Sequence, residues 1–312
     1  MRNKIIEFAK SAGADIVGFA DRSRFNADDN VFKIMPEFKT VIGLGFRVLR
    51  GAYRGMEEGS TFYQYATMGV ETMEETAMPM ALLRTAVFIE DNGYIALPQK
   101  HIQQIMKEEN DTNPETRYDF IYRGINKENQ MNFQTAAVAC GLGELGFYGK
   151  VLNEKFGPMI RFGFILTDAE LEPTKLSTAH LCDKCGKCVS ACPGGAIDES
   201  GKMNKWQCAA YYHGANGLIN PFMTPNALEE FDDRLDILSG TAKLTPEKAR
   251  AVCDVVFKVY GSVPHGYQSC LCGKACDIAC YDHLLEKGAL SGNSNSPFKK
   301  REHWKFDIEY FK

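Results

Sequence analysis

Apolar positions in the first half of the chain follow both helical and strand-like spacings, which predicts a mixed α/β fold. Residues 3–12 repeat apolar side chains at helical intervals and end at Gly13. Two further helices are predicted over 71–91 and 134–140. Short apolar runs typical of strands occur at 15–20, 40–46, 94–98 and 158–168.

From about residue 176 the pattern changes to short segments separated by cysteines. One helical insertion is predicted near 226–260. The tail begins with flexible residues and becomes aromatic, so we expect its aromatic side chains to pack back onto the body. We therefore divide the chain into an α/β domain over 1–175 and a cysteine-rich domain over 176–312.

The charge of the 312-residue chain is nearly balanced, with 36 basic and 40 acidic residues and a net charge of −4. This composition gives no electrostatic reason to expect a polyanion, so no nucleic-acid partner is predicted. Glu7, Lys10 and Asp15 interrupt the opening segment before it reaches signal-peptide length, and no run of about 18 apolar residues follows. We expect a cytoplasmic protein with no membrane partner.

The cysteines are concentrated, with ten of the eleven between residues 182 and 280. A reducing compartment keeps thiols unpaired, so this concentration indicates metal binding or catalysis. Residues 182–193 read CDKCGKCVSACP, the C-x2-C-x2-C-x3-C-P run of bacterial ferredoxins, in which the fourth cysteine binds a second cluster. Structural zinc is the alternative, but its four ligands leave the proline and the further cysteines unexplained.

A second group of ligands is expected downstream, and CLCGKACDIAC at 270–280 supplies it in non-standard spacing. The sequence therefore predicts two [4Fe-4S] clusters. We assign the first to Cys182, Cys185, Cys188 and Cys280. We assign the second to Cys192, Cys208, Cys276 and one of Cys270 or Cys272, of which we favour Cys272. Cys140 and Cys253 lie in apolar helical surroundings and are expected to be inert.

The segment GLGELG at 141–146 matches the G-x-G-x-x-G pattern of dinucleotide-binding proteins. That fingerprint needs a strand before the glycines and a helix after them, whereas TAAVAC is helical in pattern and FYGKVL does not resemble a crossover helix. Asp168 lies at a tolerable distance for a ribose carboxylate, but it follows a strand-like segment that ends in Thr167. A turn with several positive φ angles is the simpler explanation of the glycines.

The stretch AAVACGLGELGFYGKVLNEKFGPMIRFGFILTDAELEP, followed by LCDKCGKCVSACPGGAI, resembles the corrinoid-dependent iron–sulfur reductase superfamily, which includes reductive dehalogenases and epoxyqueuosine reductase. The resemblance implies a nitroreductase-like α/β sandwich that binds a corrinoid (cobalamin), followed by a two-[4Fe-4S] ferredoxin-like domain. It also implies electron flow from an external low-potential donor, of the ferredoxin or flavodoxin type, through both clusters to cobalt. Candidate cofactor-binding residues are then Gly141, Gly143, Gly146, Thr167 and Asp168.

Corrinoid proteins that use histidine as the lower cobalt ligand carry D-x-H-x-x-G, a frame that none of the six histidines occupies. Any corrinoid is therefore expected to be base-off, and the protein must supply a proton to the substrate. Candidate catalytic residues are Tyr118 and Tyr122, in a polar segment (107–130) predicted as a surface loop, and Arg161 at the family's GP-x-x-R position. A phenol near an arginine has its anionic form favoured.

The chain departs from both branches of the superfamily. Lys127 falls where epoxyqueuosine reductases carry an acid, and the opening segment lacks the twin arginines of respiratory dehalogenases. We expect a cytoplasmic, reductive dehalogenase-like enzyme that reduces a small organic substrate. Two alternatives stay open: an iron–sulfur electron-transfer protein with no substrate of its own, and a divergent epoxyqueuosine reductase that meets tRNA through a basic patch such as 299–301.

Overall fold

The computed structural model describes residues 1–100, 131–259, 270–291 and 301–312. Within these ranges six strands form two sheets: β1 (Ile16–Asp21), β2 (Thr40–Arg47), β3 (Ala96–Gln99), β4 (Glu144–Leu145), β5 (Val151–Leu152) and β6 (Ile160–Thr167). The larger sheet has the order β1-β2-β6-β3, and every neighbouring pair is antiparallel. Strands β4 and β5 pair separately as a short antiparallel unit.

Helices cover both faces of the larger sheet. The first-half helices are α1 (Arg2–Ser11), α2 (Val31–Ile34), α3 (Gly51–Glu57), π1 (Tyr65–Ala77), α4 (Met78–Glu90) and α5 (Phe133–Ala139). Alternate strand residues such as Ile42 and Ile165 share a core with α1 and α4, while Val41 and Phe164 share another with α5. Because side chains alternate across a strand, a sheet that is covered on both faces needs this nearly continuous apolar sequence.

Two glycines let the turn after α5 lie directly on the sheet. A Cβ atom at Gly18 would come within 2.1 Å of the carbonyl oxygen of Cys140, and one at Gly43 within 2.7 Å of the Leu142 side chain. This close approach fixes the start of the glycine-rich segment against β1 and β2.

The second half is helical and shares its packing with the first. Its helices are α6 (Lys187–Ser190), α7 (Lys205–Tyr212), α8 (Arg234–Ser239), α9 (Pro246–Val259) and α10 (Ala275–Glu286). Helices α7 to α9 form a core of their own that also buries Phe311 of the tail. Helix α10 instead places Ile278, Tyr281 and Leu284 in the core of the first half. The two halves are therefore joined by a continuous apolar contact.

Phe306 and Phe311 of the tail pack onto the core of the second half, and an ion pair adds to that contact. The guanidinium of Arg301 donates to Glu58 Oε2 from Nε at 3.2 Å and from Nη2 at 2.9 Å, and the Arg301 backbone N–H donates to Oε1 at 3.2 Å. The Glu58 side chain is only 2% exposed. Trp304 and Tyr310 each remain 41% exposed. Arg301, one member of the basic patch 299–301, is thus engaged within the chain.

The predicted mixed α/β fold class is confirmed. The helix predicted over 71–91 is two elements, π1 and α4, and the wider turns of π1 begin at Tyr65. Apolar spacing reports which face of a helix is buried, but it does not report the hydrogen-bond register, so the π-type turns were not foreseeable. The insertion near 226–260 contains α8 and α9, as predicted.

Candidate metal centre and active site

Four predicted ligands, which we call the first thiol set, line one pocket: Cys182, Cys185, Cys188 and Cys280. Gly186 has a φ of +75° immediately before α6, so the chain turns sharply between Cys185 and Cys188. The Sγ of Cys182 accepts a hydrogen bond from the backbone N–H of Phe147 at 3.2 Å. Hydrogen bonds to sulfur stabilise thiolates that bind iron.

Electrostatics support a metal-binding role for this set. Burial, together with the charges of Asp277 and of the other three sulfurs, raises the pKa of Cys280 to about 12. A cation bound between the four sulfurs would offset this repulsion and favour the Cys280 thiolate. The donor set therefore fits a bound metal cluster.

The second thiol set comprises Cys192, Cys208, Cys272 and Cys276. Burial raises the pKa of Cys208 to about 11, and the charges of Cys272 and Cys192 act in the same direction. The same two sulfurs act on Cys276, whose pKa burial also raises. The Sγ of Cys192 accepts a hydrogen bond from the N–H of Ala196 at 3.3 Å. The assignment of these four sulfurs to a second cluster stays a prediction.

Cys270 lies beside the second thiol set. Its side chain is fully buried, and its Sγ is 3.7 Å from that of Cys272. Cys272 influences both Cys208 and Cys276 electrostatically, whereas Cys270 is not among the main influences on either. We therefore keep Cys272 as the proposed ligand.

All eleven cysteines are free thiols, which removes disulfides as an explanation of their concentration. Cys140 and Cys253 are buried. Burial raises the pKa of Cys140 well above its usual value, and its Sγ lies 3.4 Å from the carbonyl oxygen of Val41. Burial raises the pKa of Cys253 to about 12. Both thiols thus have the surroundings expected of unreactive cysteines.

The glycine-rich segment has neither flank of a dinucleotide fingerprint, since α5 precedes it and the short strand β5 follows it, with β4 inside the segment. A Cβ atom at Gly141 would come within 2.4 Å of the Lys175 carbonyl oxygen, and one at Gly143 within 2.2 Å of the Leu152 carbonyl oxygen. A Cβ atom at Gly146 would lie 3.1 Å from the Leu152 side chain. Close packing on protein atoms accounts for these three glycines, and their assignment to cofactor binding stays a prediction.

Thr167 and Asp168 also have partners within the protein. Thr167 is fully buried, and its Oγ1 accepts a hydrogen bond from the N–H of Ala169 at 3.1 Å. Asp168 Oδ1 accepts from the N–H of Ile95 at 2.8 Å and so ties β6 to the start of β3. Their cofactor-binding role likewise stays a prediction.

Arg161 joins a polar group that we call the Arg161 cluster. Its Nε lies 2.9 Å from Glu74 Oε1, and its Nη2 donates to the hydroxyl oxygen of Tyr65 at 3.0 Å. Arg161 and Glu74 side chains each keep 16% exposure, whereas Tyr65 is 1% exposed. The cluster is therefore deep but reachable from solvent.

Tyr65 is the phenol that sequence reasoning missed. Tyr118 and Tyr122 lie outside the described residues, and Tyr65 is 96 positions from its arginine partner. The expected fall of the phenol pKa beside an arginine does not hold for Tyr65. Burial raises its pKa well above the ordinary value, more than the charges of Lys274 and Arg161 lower it. Tyr65 is thus a neutral, proton-holding phenol.

Residues after the glycines connect the Arg161 cluster with the cysteines. The Tyr148 hydroxyl donates to Asp277 Oδ1 at 2.8 Å, and Lys150 Nζ lies 3.8 Å from Asp277 Oδ2. Asp277 lies in α10 between ligands of the two thiol sets. Burial opposes ionisation of Asp277, but the charges of Lys150, Lys274 and Arg161 lower its pKa overall. The front half therefore meets the cysteine helix through a charged contact.

A family model described as a 4Fe-4S binding domain matches residues 179–198. These residues contain the CDKCGKCVSACP run. Residues 179–198 thus resemble 4Fe-4S binding domains. The prediction of iron–sulfur binding is thereby confirmed, and the zinc alternative is set aside.

Relatives extend the similarity beyond this 4Fe-4S binding domain. An epoxyqueuosine reductase of Prochlorococcus marinus is 36% identical over 76 residues, which are 24% of this chain and 24% of that protein. A tetrachloroethene reductive dehalogenase of Desulfitobacterium hafniense is 44% identical over 64 residues, which are 20% of this chain and 12% of that protein. The homologues of this chain thus include both branches of the corrinoid-dependent iron–sulfur reductases. The matched regions span a quarter or less of these relatives.

A solved structure of an epoxyqueuosine reductase with an epoxyqueuosine-modified tRNA stem loop is also similar to this chain. The match covers 92% of this chain and 82% of the solved chain, with 14% identity and a TM-score of 0.46.

Among the described residues, the structure contains no helix with the length and apolar character that crossing a membrane requires.

Proposed function

We propose that this chain is a cobamide-dependent iron–sulfur reductase of the dehalogenase-like kind, which reduces a small organic electrophile with electrons from an external low-potential donor. The supporting observation is the position of α10. This helix contributes Cys276 to the second thiol set and Cys280 to the first, and its Asp277 contacts Lys150 beside the Arg161 cluster. One helix thus connects both electron carriers with a site that holds protons.

We also propose the domain division at residues 175 and 176. Strand β6 completes the sheet at Thr167, and the first thiol follows at Cys182. Under this division the α/β part binds the corrinoid and the second part binds the clusters, while α10 anchors the second part in the core of the first.

The donor set near α10 fits a corrinoid. A cobamide carries amide groups and a phosphate around its ring, which suit a guanidinium, an ammonium and phenols as hydrogen-bond donors. Arg161 and Lys150 provide the guanidinium and the ammonium, and their side chains keep 16% and 22% exposure. When bound, the corrinoid would supply reducing electrons to the substrate.

The side chains of the Arg161 cluster have complementary tasks in this proposal. Tyr65 holds a proton on its hydroxyl oxygen and donates it to the substrate, because its buried neutral form is strongly favoured. Arg161 orients that oxygen and stabilises the phenolate that remains. Glu74 fixes the guanidinium at 2.9 Å, so that its Nη2 stays on Tyr65.

Binding of hydroxocobalamin tests the proposal. We expect anaerobically reconstituted protein to take up cobalamin near one equivalent, with the absorption spectrum of the base-off form. A preparation that binds no cobalamin and instead retains a yellow flavin would contradict it and favour an electron-transfer protein without a substrate. The variant Arg161→Gln is expected to bind cobalamin more weakly than the wild type.

A second candidate is an epoxyqueuosine reductase acting on tRNA, and the 36% identity to the Prochlorococcus protein favours it. Lys127, Lys299 and Lys300 lie outside the described residues, and Arg301 is paired with Glu58. Expression in a queuosine-deficient strain decides between the candidates. Restored queuosine in tRNA would support the second candidate and contradict a small-molecule substrate.

Lys150 gives the proposal a pH-dependent signature. Burial and the charge of Arg161 together lower the pKa of Lys150 to about 8, against the opposing effect of Asp277. Because the ordinary pKa is 10.5, the unfolded chain binds a proton between about pH 8 and 10.5 that the native state does not. Native stability is therefore gained as the pH rises through this window and lost as it falls.

We expect the difference in Tm between the wild type and Lys150→Met to shift in favour of the wild type from pH 8 to 10.5. Differential scanning fluorimetry at several pH values measures this difference. A constant difference would show that Lys150 titrates normally, and Lys155→Met is the matched exposed control.

A further inference from the structure

Two lysines occupy comparable positions in the cysteine loops but differ in their surroundings. Lys184 lies between Cys182 and Cys185, and Lys274 lies between Cys272 and Cys276. Both have left-handed backbone, with φ of +57° and +50°. Long side chains seldom adopt this conformation, because the Cβ atom crowds the following carbonyl group. Lys184 is exposed, whereas Lys274 is half-buried.

The Lys274 side chain extends into the contact between the halves. Its Nζ lies 5.0 Å from the centroid of the Tyr212 ring. Within the described ranges Lys274 forms no salt bridge, and the Asp277 carboxylate acts on its ammonium from a longer distance. A cation over an aromatic face and away from bulk water keeps its charge effective over several ångströms.

The two lysines lie in the loops of different thiol sets. Lys274 is two residues from Cys272 and two from Cys276, in the loop that presents two sulfurs of the second thiol set. Lys184 is two residues from Cys182 and one from Cys185, in the loop of the first set. Of the two lysines, only Lys274 is partly withdrawn from water, and its charge also acts on Tyr65 of the Arg161 cluster.

We propose that Lys274 controls which cluster holds the electron. Its fixed positive charge raises the reduction potential of the cluster on the second thiol set above the potential of the cluster on the first thiol set. This inference rests on the proposed function only in assuming that both clusters are present. Reduction of a [4Fe-4S] cluster adds one negative charge, which a nearby cation in a low-dielectric site stabilises more than it stabilises the oxidised form.

The transfer step balances within the protein. The first cluster, reduced by an external one-electron donor, is oxidised when it gives that electron to the second cluster, which is thereby reduced. Lys274 makes this direction favourable, so the electron rests on the cluster beside Tyr65. The exposed Lys184 cannot offset the effect, because water and salt screen its charge.

A redox titration of reconstituted protein, with dithionite as reductant and electron paramagnetic resonance as readout, tests the proposal without any corrinoid. In Lys274→Gln we expect one of the two potentials to become more negative. The reduced-to-oxidised ratio of that cluster at a fixed potential should fall at least tenfold, which is about 59 mV for one electron. Lys274→Arg should keep the wild-type potential, and the matched control Lys184→Gln should change either ratio less than twofold.

Equal potentials in Lys274→Gln and the wild type would overturn the proposal while leaving both clusters in place. Equal shifts in Lys274→Gln and Lys184→Gln would also overturn it, since burial would then confer no advantage. If Lys274→Gln loses a cluster, the comparison of Lys274→Met with Lys274→Arg at matched iron content repeats the test. A wild-type protein with a single cluster would instead contradict the proposed function itself.

Discussion

Replacement of Cys272 by serine is expected to remove about half of the bound iron, because the alcohol oxygen is a harder and less acidic ligand than a thiolate. The first thiol set, which does not include Cys272, should keep its cluster. Cys270→Ser is expected to retain the iron of both clusters. Iron and sulfide analysis after anaerobic reconstitution, together with electron paramagnetic resonance of the reduced protein, measures both results.

Cys253→Ser is the control for this pair, since Cys253 is a buried thiol in the core formed by α7 to α9. Loss of iron from Cys270→Ser with full retention in Cys272→Ser would reverse the assignment of the ligand. Loss of iron from both variants would indicate that the second cluster needs both Cys270 and Cys272, whose Sγ atoms lie 3.7 Å apart.

Replacement of Tyr65 by phenylalanine is expected to lower the rate of substrate reduction by about 10²- to 10⁴-fold, the range typical of removing a positioned proton donor. Iron content and cobalamin binding should not change, because the ring still fills its place beside Tyr53, at a centroid distance of 5.0 Å. Single-turnover assays with reduced protein separate this loss from electron delivery.

Tyr63→Phe is the matched control, since Tyr63 lies two positions earlier and is 54% exposed. Its activity should stay near that of the wild type. An unchanged rate in Tyr65→Phe would contradict the assigned role and direct attention to Tyr118 and Tyr122. A solvent deuterium isotope effect that is present in the wild type and changes in Tyr65→Phe would support proton donation by this hydroxyl.

The sequence was sufficient to predict elements whose apolar period is strong. Helix α1 and strands β1, β2 and β6 lie close to their predicted bounds, because the alternation of buried residues reflects the faces that they cover. The cysteine run was equally predictable, since its spacing is a direct consequence of wrapping one cluster. The 4Fe-4S binding domain over residues 179–198 confirms that interpretation.

The proton-holding site could not be predicted in the same way. Arg161 and Tyr65 meet through the packing of π1 on the sheet, and no local pattern reports that contact. The sign of the Tyr65 pKa shift also depends on burial, which outweighs the nearby cations. Lys150 and Asp277 are another long-range pair, although the glycines before Lys150 did indicate that this segment turns sharply.

Spin quantitation of the fully reduced, reconstituted protein tests the central claim most directly. Two thiol sets on one chain predict about eight irons per polypeptide and two interacting S = ½ signals, of which one disappears in Cys272→Ser. A single signal with about four irons, or reduced clusters that cannot transfer electrons to added cobalamin, would contradict the account.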